Sequence, residues 1–183
     1  MPVRRAMTRM SPLRVVAAGL TAALVAGCAA TAPAGPVART ELKPTAGNGV
    51  SGWVQFEQLG SQVRVNAEIR GLRPNAEHGF HVHEKGDCSA ADGMSAGGHF
   101  NPGGKAHAHH GQAERHAGDM PNLQADASGV ARLNWNTALL SVPAGQVSVV
   151  GRSVIVHRDP DDYRSQPAGN SGPRLACGVV AAR

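Results

Sequence analysis

Residues 62–70, QVRVNAEIR, restrict the fold of this chain more than any other segment. Apolar and polar residues alternate strictly, so an extended strand would place Val63, Val65, Ala67 and Ile69 on one face. A period of two residues is typical of a strand with one buried face and does not fit an amphipathic helix. The segment therefore predicts a β-strand that covers a hydrophobic core.

Several other segments have the composition of strands, and turn residues separate them. Residues 50–58 place Val50, Val54 and Phe56 on one face, and the link LGS is short enough for a hairpin. No apolar period of 3.6 residues continues for three helical turns. An all-β Greek-key sandwich or barrel is therefore the predicted fold class. The remaining predicted strands are VARLNWN, QVSVV and SVIVH, at residues 130–136, 146–150 and 153–157.

The first 27 residues are typical of a secretory signal. Arginines without acidic residues precede the uncharged, mostly apolar run VVAAGLTAALVAG. This run is shorter than the roughly 20 residues of a membrane-spanning helix, which makes a permanent transmembrane anchor the weaker alternative. It ends in VAGC, which resembles the lipobox of bacterial lipoproteins, whose cysteine becomes the acylated first residue. We predict that residues 1–27 are removed and that a lipid on Cys28 anchors the protein to the bacterial membrane, facing the periplasm.

Residues 28–47 are predicted to be a flexible tether. The segment is rich in Ala, Pro and Thr and lacks the apolar spacing that buries one face; an ordered first strand is the weaker alternative. Residues 48–183 then form a single domain. Without residues 1–27, Lys plus Arg falls from 18 to 14 while Asp plus Glu stays at 13, so the net charge falls from +5 to +1. This balance gives no indication of a nucleic-acid partner.

The three cysteines are an odd number for an exported chain. If Cys28 carries the lipid, Cys88 and Cys177 remain, and an oxidising periplasm allows them to form a disulfide. Two free, buried thiols are the alternative.

The nine histidines are concentrated in a few segments. His81 and His83 are two residues apart, so a strand would place both imidazoles on one face, whereas His78 is expected to be structural or solvated. Alone, such a pair is more often solvated than metal-bound. Other potential ligands favour a metal site, because imidazole suits copper and zinc and a carboxylate also suits zinc. These are His99, His107, His109, His110, His116, Asp119 and His157.

Five longer motifs follow one another along the chain: GFHVHEKGDC, SAGGHFNP, ERHAGDMPNL, VIVHRDPDDY and GNSGPRLACGV. Through them, the chain from about Val50 to Val180 resembles the copper/zinc superoxide dismutases. The resemblance implies an eight-stranded antiparallel Greek-key β-barrel with a long metal-binding loop and a long electrostatic loop. It also implies one copper and one zinc per subunit. The implied reaction is dismutation of superoxide anion to oxygen and hydrogen peroxide, here as antioxidant defence in the periplasm.

The resemblance also implies roles for individual residues. Cys88 and Cys177 match the family's disulfide, and Arg174 matches the arginine over the copper channel that docks the anion. Asp161 matches the carboxylate that links a copper ligand to a zinc ligand. His99 matches the histidine that bridges both metals and takes up a proton during the reaction. The implied ligands are His81, His83, His99 and His157 for copper, and His99, His107, His116 and Asp119 for zinc.

One zinc ligand has neighbours that compete with it. The segment KAHAHHGQAERHAGD lacks the Gly-Pro that often follows the family's first zinc histidine. We prefer His107, because its separations from His99 and His116 match the family, and His110 is the alternative. His109 and His110 are interpreted either as loop residues or as a site that captures zinc during loading.

A second function class is a periplasmic copper- or zinc-binding lipoprotein without turnover, for storage or buffering. The additional histidines favour it, whereas Arg174 argues against it because a storage site needs no anion-docking arginine. A third alternative, an adhesive sandwich module with unused histidines, would be excluded by stoichiometric metal. A homodimer is also considered, since hydrophobic residues on exposed strands would suit an interface as well as a core.

Overall fold

Ten strands and one short helix form the regular structure of the chain in a computed structural model that describes residues 1–2 and 35–183. The predicted signal, its cleavage site and Cys28 lie outside these residues. Within them, no helix has the length and apolar character needed to cross a bilayer. The elements are β1 (Val37–Pro44), β2 (Ser51–Leu59), β3 (Gln62–Arg70), β4 (Glu77–His78), β5 (Phe80–His83), a 3₁₀ helix (Met94–Ala96), β6 (Leu123–Gln124), β7 (Ala131–Thr137), β8 (Ser153–His157), β9 (Arg174–Val179) and β10 (Ala181–Ala182).

Eight of the strands form one antiparallel sheet. Its order is β5-β8-β9-β1-β2-β3-β7, with β10 also paired to β1, while β4 and β6 pair separately. The chain passes between the two ends of this order three times, from β3 to β5, from β5 to β7 and from β7 to β8. This connectivity confirms the predicted all-β Greek-key class.

The β2–β3 hairpin follows the predicted alternation. Leu59 pairs with Gln62, so the turn is short, and Gly60 takes a positive φ of 57° in it. Phe56 lies opposite Val65, and both are completely buried. Burial of a side chain the size of Phe56 contributes roughly 1.5–3 kcal/mol, so the alternation stabilises the hairpin on the core side.

Strand β1 corrects the predicted tether. Residues 37–42 pair with β2 and residues 43–44 pair with β9, so the ordered domain begins well before residue 48. Ala38, Thr40 and Leu42 alternate into the core, but a small residue and a polar one give little hydrophobic signal. Buried and exposed residues do alternate in VARTELKP, but the two sets differ too little in hydrophobicity for the sequence to predict a strand.

The predicted strand QVSVV is also wrong. Residues 146–150 form turns, and Ser148 makes only an isolated bridge with Ser141. Val149 is nevertheless completely buried, as a loop residue that fills the core. A short apolar run therefore indicated burial correctly and secondary structure incorrectly.

Two long loops carry most of the polar residues singled out in the sequence. The first long loop comprises residues 84–122, between β5 and β6, and the second comprises residues 158–173, between β8 and β9. A disulfide between Cys88 and Cys177 joins the first long loop to β9, with Cα atoms 5.8 Å apart. This bond excludes the alternative of two free thiols.

Candidate metal centre

Four imidazoles form the first of two clusters beside β5. His81 and His83 project from the same side of this strand, while Val82 between them is buried on the other side. His157, the last residue of β8, approaches His83 with 3.4 Å between the two Nε2 atoms. His99 of the first long loop completes a buried group in which each ring offers one nitrogen, all within 4.8 Å of one another.

The second cluster contains three imidazoles around one carboxylate. The Nδ1 atoms of His99, His107 and His116 lie 2.9, 3.0 and 3.2 Å from Oδ1 of Asp119. The Nδ1 atoms of His99 and His116 are 3.4 Å apart. These spacings resemble the edges of a zinc tetrahedron, which are about 3.3 Å for bonds of about 2.0 Å. Three imidazoles and a carboxylate therefore fit zinc in both chemistry and size.

Unpaired nitrogens show that the first cluster also fits a metal. Nδ1 of His81 and Nε2 of His99 are buried, and neither has a hydrogen-bond partner among the described residues. A buried polar atom without a partner costs roughly 1–3 kcal/mol, whereas a metal ligand needs such a free lone pair. An all-imidazole donor set suits copper. His99 belongs to both clusters, with Nδ1 in one and Nε2 in the other.

Asp161 connects the two clusters from behind. Nε2–H of His81 donates to its Oδ2 over 2.9 Å, and Nε2–H of His107 donates to its Oδ1 over 2.9 Å. Both bonds orient the ring so that Nδ1 faces its cluster. The carboxylate predicted to link the two sites therefore contacts one histidine of each.

Backbone carbonyls orient two further rings. Nδ1–H of His83 donates to the carbonyl of Gly97 over 2.9 Å, and Nδ1–H of His157 donates to the carbonyl of Gly172 over 3.1 Å. Nε2 of each ring is then the atom with a free lone pair. Sequence reasoning missed these partners, because a backbone carbonyl has no signature in the amino-acid pattern.

Two backbone carbonyls of the first long loop hold Arg174 beside the first cluster. Its guanidinium donates to the carbonyls of Gly93 and Gly97 over 2.7 and 2.6 Å. The carbonyl of Gly97 thus accepts hydrogen bonds from both His83 and Arg174. A cation with a fixed fork of donors at this position can dock a small anion.

Burial keeps the first cluster neutral. It is the main cause that lowers the pKa of His81 and His83 well below the usual value and that of His157 to about 3, and neighbouring imidazoles add to it. Neutral imidazoles offer lone pairs at physiological pH, which is the state a metal binds.

The second cluster has the opposite electrostatic character. Burial alone would lower the pKa of His107, but hydrogen bonds with Asp119 and Asp161 outweigh it and raise the pKa to about 9. Burial alone would raise the pKa of Asp119, but its bonds with His107, His116 and His99 hold it far below the usual value. The cluster therefore contains a firmly ionised carboxylate, and a metal that bound Nδ1 of His107 at neutral pH would displace a proton from it.

The remaining histidines lie outside both clusters. His109 is exposed and His110 is partly buried, with their ring centroids 3.9 Å apart. His78 is buried, and its Nδ1–H donates to the carbonyl of His157 over 2.9 Å, which fits a structural role.

Asn122 was not singled out in the sequence, although it lies in the motif ERHAGDMPNL. Its side-chain amide donates to the carbonyl of Asp161 over 3.0 Å and accepts from the amide of Asp161 over 2.9 Å. The position of Asn122, three residues after the candidate ligand Asp119, was the signal that could have identified it.

Comparison with known families accounts for this arrangement. The family model described as copper/zinc superoxide dismutase matches residues 50–180. The chain belongs to the copper/zinc superoxide dismutase family. Copper and zinc are thus the cofactors of this dismutase, and superoxide is its substrate.

Relatives from distant organisms agree with the assignment. A Cu-Zn superoxide dismutase of Saccharomyces cerevisiae (strain ATCC 204508 / S288c) is 47% identical over 72% of this chain and 90% of its own. Superoxide dismutase Cu-Zn 2 of Aquifex aeolicus (strain VF5) is 40% identical over 78% of this chain and 85% of its own. The similarity thus includes most of the dismutase and most of each relative.

Solved structures show the same fold. The crystal structure of the clock protein EA4 has a TM-score of 0.71 and 37% identity, over 79% of this chain and 93% of that one. A double mutant of a superoxide-dismutase-like protein from Bacillus subtilis has a TM-score of 0.70 and 35% identity, over 78% of this chain and 96% of that one.

Proposed function

We propose that this dismutase removes superoxide in the periplasm, with a redox-cycling copper in the first cluster and a structural zinc in the second. The observation that carries the assignment is His99, whose two ring nitrogens face different clusters. The proposed ligands are His81, His83, His99 and His157 for copper, and His99, His107, His116 and Asp119 for zinc.

The chain supplies binding, orientation and proton transfer in this reaction. Copper, when bound, supplies one-electron redox chemistry, and zinc supplies positive charge without redox chemistry. The carbonyls of Gly93 and Gly97 each accept one N–H of Arg174 and hold its guanidinium in place. Arg174 binds the superoxide anion through its other N–H donors. Nε2 of His99 holds one proton between the two half-reactions and gives it to the reduced product, which takes its second proton from solvent and leaves as hydrogen peroxide. Nδ1 of His99 belongs to the second cluster, 2.9 Å from Oδ1 of Asp119, and this orientation of the ring directs Nε2 at the first cluster.

The choice of His107 as a zinc ligand predicts different behaviour for three neighbouring histidines. His107→Ala is expected to release zinc at least about 10-fold faster than the native protein, since even substitutions behind the ligands cost 10–100-fold in metal affinity. His110→Ala and the matched control His109→Ala should retain zinc, because both rings lie outside the clusters. Zinc release into a chelator, followed by absorbance, measures all three. A larger loss with His110→Ala than with His107→Ala would reverse the assignment.

The periplasmic location is supported by the signal-like residues 1–27 and the lipobox-like VAGC. A multiply acylated Cys28 would hold the domain at the membrane surface, because more than one acyl chain is needed for stable anchoring. Residues 29–36 would then connect the lipid to β1, a shorter link than the sequence predicted.

Replacement of the lipidated residue tests this location. Cys28→Ser is expected to move the protein from the membrane to the soluble fraction of lysed cells, because no acyl chain can be attached. Immunoblots of both fractions measure the change, with Thr31→Ser as a control that keeps Cys28 and the Cys88–Cys177 disulfide. Continued sedimentation of the Cys28→Ser protein with membranes would contradict lipid anchoring.

A further inference from the structure

Gln166, in the second long loop, makes two hydrogen bonds with the backbone of a single residue in the first. The backbone N–H of His107 donates to Oε1 of Gln166 over 2.8 Å, and Nε2 of Gln166 donates to the carbonyl of His107 over 2.7 Å. A side-chain amide has a donor and an acceptor in one plane, so it can satisfy both backbone groups at once. Two such bonds fix the position and also the orientation of the His107 backbone.

His107 depends on this contact because no regular structure holds it. It is buried, although residues 103–106 before it are exposed and no strand or helix includes it. Among the described residues, both of its backbone hydrogen bonds are made with Gln166. Buried backbone groups without a partner are costly, so the segment is most stable in the position where the backbone of His107 bonds to Gln166.

The contact has a counterpart in the opposite direction. Asn122, at the end of the first long loop, makes the same two-bond pattern with the backbone of Asp161 in the second. The side chains of these two positioned residues contact each other, with 2.9 Å between Nε2 of His107 and Oδ1 of Asp161. Each loop therefore uses an amide to position the residue of the other loop that takes part in this contact.

We propose that Gln166 is a positioning residue for the zinc site: it places the backbone of His107 so that Nδ1 reaches the second cluster. The inference rests on the proposed zinc ligand set. Gln166 is more than 50 residues distant from His107 in sequence, and it acts through the backbone of His107 without contacting any of the proposed ligand atoms. The side chain of His107 has its own partners, Asp119 and Asp161, so loss of Gln166 should loosen the site without emptying it.

Substitution of Gln166 in the full, copper- and zinc-loaded protein tests the proposal. Gln166→Met keeps the side-chain length but removes both hydrogen bonds with His107. This variant is expected to release zinc roughly 5- to 30-fold faster than the native protein, because two net hydrogen bonds are lost at an exposed side chain. Gln166→Glu keeps the acceptor for the His107 N–H and should show an intermediate rate. The matched control is Gln112→Met, because Gln112 lies in the same segment as His107 and its side chain makes no hydrogen bond within residues 35–183. It should release zinc at the native rate.

Cobalt(II) bound in place of zinc supplies a second readout, because its visible absorption reports ligand geometry. Gln166→Met should change the intensity of this absorption, and Gln112→Met should not. Native zinc release together with a native cobalt spectrum in Gln166→Met would overturn the proposal while the ligand set stands. Zinc retention in His107→Ala would instead overturn the ligand set, so the two failures are distinguishable. If Gln166→Met does not fold, Gln166→Glu decides: a native rate and spectrum there overturn the proposal, and faster release supports it.

Discussion

His157→Ala is expected to lower catalysed superoxide decay by at least about 100-fold. The imidazole of His157 is buried within hydrogen-bond range of His83, and Gly172 directs its Nε2 into the first cluster. Alanine removes one nitrogen of the four and leaves a cavity in its place. Substitutions behind metal ligands already cost 10–100-fold in affinity or activity, so loss of a ligand should cost more. Stopped-flow measurement of superoxide decay and metal analysis of the same sample check the result.

His109→Ala is the matched control for this substitution, because it also removes one imidazole but lies outside both clusters. It should retain copper, zinc and native activity. The His157→Ala protein should still bind zinc, since none of the atoms of the second cluster belongs to His157. Native activity of His157→Ala would contradict the proposed copper site.

Loss of the disulfide should have the largest effect on stability. Cys88 and Cys177 are 89 residues apart, and a closed loop of that size restricts the unfolded chain by roughly 4–5 kcal/mol in the chain-entropy model. The variant with both residues changed to Ala is therefore expected to lose about that free energy of unfolding. The bond also joins β9 to the first long loop, which includes the Gly93 and Gly97 carbonyls that hold Arg174. Activity should thus fall at temperatures below the unfolding transition.

Urea unfolding of the metal-free proteins measures the stability difference. A reducing agent should bring the native protein to the stability of the double variant and leave the double variant unchanged. A difference in the free energy of unfolding below about 1 kcal/mol would show that residual structure already restricts the segment between Cys88 and Cys177 in the unfolded chain.

The sequence predicted strands where the contrast between the two faces is high. Val63, Val65 and Ile69 alternate with charged and amide side chains, and β3 follows that pattern to the residue. In β1 the buried positions are filled by Ala38 and Thr40, so the same period carried little apolar signal. Residues 146–150 show the opposite error, because Val149 is buried without belonging to a strand.

Family motifs carry the proposed ligands except His107, which was chosen by its spacing from His99 and His116, and the structure brings all of them into two clusters. Periodicity alone placed only His81 and His83 together. The supporting contacts were harder to predict, since Gly97 and Gly172 act through backbone carbonyls. Gln166 contacts His107 from another loop, and only the folded chain brings the two residues together.

The structure also separates the histidines of KAHAHHGQAERHAGD by position. His107 and His116 direct Nδ1 to the carboxylate of Asp119, whereas His109 and His110 pack against each other and against Tyr163. The preference for His107 over His110 from spacing agrees with this geometry. The pair His107 and His116 and the pair His109 and His110 therefore lie in different structural environments, although all four are close in sequence.

The most direct test of the account is the rate of superoxide decay at increasing concentrations of the purified protein loaded with one copper and one zinc. The expected result is a rate proportional to protein concentration, many turnovers per copper, and loss of catalysis when copper is removed. Stoichiometric binding of both metals without catalysed decay would contradict it and would favour a metal-storage lipoprotein.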